Sequence, residues 1–103
     1  MLSSYPACFI KEENGYSIIF PDLNYLATYG DTLDEAIVMA IDCLASYLYW
    51  LQIDNEPAPT PSPIDKIVLA DFFKELEIVD CSLTESFVNY VTAVSYTHLR
   101  AHE

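Results

Sequence analysis

YPACFIKEENGYSIIFPDLNYLATYGDTLDEAIVMAIDCLASYL, residues 5–48, carries most of the fold in one run of signals. YPACFIK (5–11) and YSIIF (16–20) are rich in aromatic and β-favouring residues and are separated by Glu-Glu-Asn-Gly, which predicts a β-hairpin. Asn14-Gly15 is the natural turn, because a two-residue type I′ turn needs positive φ at both central positions. Alternation puts Tyr16, Ile18 and Phe20 on one face and Ser17 and Ile19 on the other. Pro21-Asp22 ends the second strand, since proline cannot donate to a ladder. A third short strand, 25–29, precedes Gly30.

Thr32 and Glu35 stand at capping-box spacing, and Asp31, Asp34 and Glu35 suit the positive end of a helix that starts near Leu33. Leu33, Ala36, Ile37, Ala40, Ile41, Leu44, Leu48 and Leu51 recur at three- and four-residue steps, the stripe of a helix lying on a sheet. Val38, Met39, Cys43, Tyr47, Tyr49 and Trp50 widen that stripe beyond what one sheet can cover. A helix of about twenty residues is roughly 30 Å long, whereas a five- or six-residue strand spans about 17–20 Å. The Tyr47–Leu51 end should therefore overhang and pack on a second subunit or partner, unless residues 64–78 cover it.

Residues 54–63, DNEPAPTPSP, carry four prolines and read as an extended connector. Beyond it, Ile67, Leu69, Phe72, Phe73 and Leu76 form a mixed pattern that does not separate helix from strand. SFVNYVTAV, 86–94, alternates as a fourth strand. No internal repeat is present.

The 103 residues suffice for one domain, here 1–94, and an apolar fraction of 52% excludes a disordered chain. A net charge of −12 repels a phosphate backbone and attracts a basic protein. Direct nucleic-acid binding by this segment is thus disfavoured. Cys8, Cys43 and Cys81 form no CxxC pair and read as small buried residues in a reducing cytoplasm. The N-terminus is not a signal peptide, and the longest apolar region, 36–51, is broken by Asp42 and Ser46 and is short for a bilayer span.

In order, the hairpin strand, the FPDL turn, the short strand and the G-D-T-x-x-E-A segment resemble the amino-terminal domain of HicB-like antitoxins. The matching residues are Tyr16, Phe20, Pro21, Asp22, Leu23, Gly30, Asp31, Thr32, Glu35 and Ala36, and the resemblance covers about residues 3–53. It implies an α+β fold of β-β-β-α-β order, a partial ribonuclease H-like arrangement with one long helix on an antiparallel sheet. It also implies that the domain neutralises a small basic HicA-type toxin that cleaves mRNA, by masking the toxin's active surface. Family members usually continue into a helix-turn-helix or ribbon-helix-helix segment that binds DNA. Here that segment is expected to be missing, and SYTHLRAHE, 95–103, is expected to be a non-native tail.

Such a partner should meet acidic and aromatic groups together, because aromatic anchors dominate interface energy while charge sets encounter rate. Glu12, Glu13, Tyr16, Asp22, Tyr25, Tyr29, Asp31 and Asp34 are the candidates for toxin binding, and Tyr47 and Trp50 for self-association. No catalytic, cofactor-binding or metal-binding residues are assigned, and neither a membrane nor a small-molecule substrate is expected. Only Gly15 and Gly30 exist to build a glycine-rich loop, and both histidines, His98 and His102, lie in the tail. Asp22, Asp31, Asp34 and Asp42 would have to cluster for a divalent-metal hydrolase, but Asp31 and Asp34 have a sufficient role at the helix N-terminus and Asp22 suits a turn after Pro21. An orphan binding module of the same fold is the other alternative.

Overall fold

Glu12 pairs with Gly15, so the first hairpin turns on Glu13 and Asn14. None of Glu13, Asn14 and Gly15 has a positive φ, and the expected type I′ turn at Asn14-Gly15 is not formed. Gly15 instead opens the second strand where the Gly30 carbonyl and the Tyr29 ring leave no room for a Cβ. The left-handed pair lies further on, at Asn24 (φ 59°) and Tyr25 (φ 58°), where it turns the chain after the FPDL segment.

The computed structural model describes residues 2–94. The tail at 95–103, with His98, Arg100 and His102, lies outside the described residues. The strands are β1 (Leu2–Glu12), β2 (Gly15–Phe20), β3 (Leu26–Gly30) and β4 (Ser82–Val94), in the order β3-β2-β1-β4 with every pair antiparallel. A 3-10 turn spans Pro21–Leu23, and the helices are α1 (Leu33–Ile53) and α2 (Leu69–Glu75). Thr32 caps α1, its Oγ1 accepting from the Glu35 amide at 3.1 Å, while the Asp31 amide donates to the Glu35 carboxylate at 3.3 Å. The capping signal thus works as expected, with the return bond one residue earlier than in the usual box.

β1 is a central strand buried on both faces. Tyr5, Ala7 and Phe9 join Ile18, Phe20, Val91 and Ala93 beneath α1, which contributes Ala36, Ala40, Leu44 and Ala45. On the other face Cys8 and Ile10 meet Phe72 and Phe73 of α2. Pro6 is tolerated because the β2 ladder begins only at Cys8, so the strand has β4 alone beside it there.

Five expectations need correction. The mixed 64–78 segment contains the short helix α2, which covers the far face of the sheet rather than the end of α1, so the molecule has three layers. β4 starts at Ser82, not at 86, through an irregularity between Phe9 and Lys11 that lets Ser82 pair with Lys11. Leu33, Ile37 and Ile41 of the apolar stripe are 37–41% exposed, because α1 presses its alanines against the sheet. Of the cysteines only Cys8 is buried, and that burial pushes its thiol up to about 11; Cys43 and Cys81 are half-exposed. By length and hydropathy α1, at 21 residues, would also pass for a membrane span, so the argument from shortness does not hold. What the structure shows is its alanine face packed on the sheet.

Candidate protein-binding surface

The candidate toxin-binding residues fall at two ends of the sheet. The hairpin, the end of β3 and the start of α1 meet at one end and bring Glu12, Tyr29 and Asp31 together with Glu35. Partial desolvation and the charges of Asp31, Glu12 and Glu35 push the Tyr29 phenol above its ordinary value. Glu13 lies at the exposed turn beside them, and Asp34 in the exposed first turn of α1. Cys81 feels the same field, its thiol raised by desolvation and by the charges of Glu12 and Asp80. Glu12 also accepts a hydrogen bond from Ser17 Oγ. Tyr16 is half-buried against the α1-side core, edge-on to Phe87 at 6.3 Å and with Lys11 Nζ 5.5 Å from its ring centre.

Asp22 and Tyr25 stand at the opposite end and are engaged within the chain. Both Asp22 carboxylate oxygens accept from Ser62, one from its amide and one from its hydroxyl, each at 2.7 Å. Tyr5 Oη donates to the Pro59 carbonyl at 2.6 Å, and Tyr90 Oη accepts from the Ile64 amide at 3.1 Å. The proline-rich connector is thereby clasped around the sheet end as it passes from the α1 layer to the α2 layer. Tyr25 packs against Phe72 (6.0 Å between ring centres) and donates to Glu75 at 3.2 Å, which ties its left-handed backbone to α2. Asp22→Ala is expected to remove about 2 kcal/mol of stability, since two hydrogen bonds to a carboxylate are lost. Hydrogen exchange should show loss of protection at the Ser62 amide, with the β1–β2 ladder amides unchanged.

Tyr47 also lies at this end, accepting from Asn24 Nδ2 at 3.3 Å. Trp50 is 60% exposed and edge-on to Tyr49. The expected overhang of Tyr47–Leu51 is thus confined to Trp50, since Tyr47 and Leu48 pack against the α1-side core.

A feature that no motif marks lies along the free side of β4. Ile37 and Ile41 of α1 face Phe87, Asn89, Tyr90 and Val91 across a groove of about 310 Å³. The excess width of the apolar stripe was the available signal for it. Among the described residues, no three His, Cys, Asp or Glu side chains stand together as a metal site.

The architecture is that of a small α+β domain, one long helix on an antiparallel sheet. The family model for HicB-like antitoxins of bacterial toxin-antitoxin systems matches residues 5–91, and the chain belongs to that family. It is 43% identical over 53 residues to antitoxin HicB 1 of Photorhabdus laumondii subsp. laumondii, an alignment covering 52% of this chain and 34% of that protein. It is 30% identical over 82 residues to an uncharacterised 14.9 kDa protein from the rep-hol intergenic region of Haemophilus phage HP1, covering 78% of this chain and 62% of that one. The chain therefore spans about a third to three fifths of the length of these relatives. Among solved structures, a chain of a toxin-antitoxin complex from Streptococcus pneumoniae superposes with a TM-score of 0.82 at 31% identity, covering 91% of this chain and 70% of that one. A chain of the HicA3 and HicB3 toxin-antitoxin complex shares the fold, with a TM-score of 0.66 at 19% identity over 89% of this chain and 99% of that one.

Proposed function

We propose that this domain acts as an antitoxin that binds a small basic HicA-type toxin in the cytoplasm and masks its active surface. The observation that carries the reading is the family match across residues 5–91, nearly the whole described domain. The −12 charge supports it, because such a field raises the encounter rate with a basic protein. Glu12, Glu13, Asp31 and Asp34 at the hairpin end supply the charge that draws and orients the partner, with the neutral Tyr29 ring as an aromatic contact among them. Asp22 and Tyr25 serve instead to hold the connector and α2 in place, and Tyr16 to anchor the hairpin. The exposed Trp50 end of α1, with Tyr47 beside it, is the surface for self-association.

Co-expression of residues 1–94 with a small basic HicA-type toxin tests this. The expected result is rescue of growth and co-purification of the two proteins. With the toxin shown to be active and the domain shown to be folded, failure of both would leave an orphan binding module of this fold.

A further inference from the structure

We propose that the groove between α1 and the free edge of β4 is where the basic partner seats its apolar anchor, with Ile37 and Ile41 as the gripping wall. The inference rests on the toxin-binding reading and locates its energetic centre away from the hairpin end.

α1 turns its small residues inward and its large aliphatic ones outward. Ala36, Ala40, Leu44 and Ala45 are buried, whereas Leu33, Ile37 and Ile41, at four-residue steps, are 37%, 41% and 37% exposed. Val38, one position further round, is 63% exposed. A core stripe alone does not call for isoleucines at these positions, and contiguous apolar exposure of this kind marks an interaction surface. The opposite wall is β4, which pairs only with β1. Its outer edge, with no strand beside it among the described residues, offers backbone donors and acceptors next to the groove.

Charge selects the occupant. Asp34, Val38 and Asp42 form a row at four-residue steps beside the aliphatic ridge, so a carboxylate stands one turn to either side of Val38. Neither α1 nor β4 contains a lysine or arginine. Two copies joined through this face would bring Asp34 and Asp42 of each together with no counter-charge, on chains that each carry −12. A basic protein with an apolar side chain between lysines or arginines meets both the groove and its rim.

The full chain and a catalytically silenced basic toxin of the HicA type provide the test, by surface-immobilised binding kinetics over a range of salt. Ile37→Lys, and separately Val38→Lys, are expected to speed dissociation at least tenfold while the thermal unfolding midpoint stays within a few degrees. Both sites are exposed, so folding is not at stake. Asp34→Lys with Asp42→Lys should slow association and flatten its salt dependence. Unchanged dissociation in both single variants, with the unsubstituted chain binding normally, overturns the groove and leaves the antitoxin reading intact. No binding by the unsubstituted chain removes that reading and the groove with it. A fall in sedimentation mass of the free Ile37→Lys chain would make the occupant a second copy and overturn the assignment to a basic partner.

Discussion

Replacing Gly30 by alanine is expected to destabilise the fold by about 3 kcal/mol, the upper part of the range for forcing an extra methyl into a packed site. Gly30 closes β3 opposite Tyr16 and is followed within three residues by the start of α1. A Cβ there would run into the backbone of Ala36 and come within 2.8 Å of the Glu35 carbonyl carbon. Those atoms belong to the first turn of the helix and are held by the Thr32 cap and the Ala36–Thr32 backbone bond, so they have no rotamer through which to retreat. Relief requires the helix start to lift from the sheet, which exposes Ala36 and opens the core above Ile18. The φ of Gly30 is not positive, so the cost is one of space and not of backbone conformation. Urea unfolding should show a lower midpoint at an unchanged slope.

Phe20→Ala should cost more, about 3–5 kcal/mol. Phe20 is fully buried and stands first among the largest fully buried side chains. It sits in the α1-side core with Ile18, Leu23 and Leu44, on the strand end from which the chain enters the FPDL turn. Alanine would leave a void beneath α1 that the surrounding side chains, fixed on three strands and a helix, cannot fill by collapse. The same urea titration applies, and a loss under about 1 kcal/mol would mean that the core repacks around the missing ring.

Much of this fold was legible because the signals were local. The hairpin, the cap at Thr32, the α1 start and the inward set Tyr16, Ile18, Phe20 each follow from residues within a few positions of one another. What was missed depended on distant partners. The turn at Glu13 and Asn14 is fixed by the pairing register, in which Gly15 must enter β2 to clear Gly30 and Tyr29. The start of β4 at Ser82 depends on an irregularity against β1, some seventy residues earlier in the chain. Helix α2 has a mixed apolar pattern because Phe72 and Phe73, adjacent in sequence, both reach the sheet's far face. The candidate surface was legible only in its composition. Sequence could select acidic and aromatic residues, but Asp22 and Tyr25 turned out to face Ser62, Phe72 and Glu75, contacts made across forty or more residues. The α1 groove was hidden because Ile37 and Ile41 satisfy helical periodicity whether they face the core or its rim.

The sheet order has a kinetic consequence. Ser4 and Thr92, bonded through their hydroxyls, are 88 residues apart, and Leu2 pairs with Val94. The hairpin, β3 and α1 form a largely local unit, yet the inner side of β1 stays open until the far end of the domain arrives. Closing that seam is a long-range event, which slows folding relative to a protein built from neighbouring contacts. During synthesis the growing chain therefore exposes an unpaired edge of its own central strand until residue 94 has been added, an interval in which strand-to-strand association with other chains competes with completion of the domain.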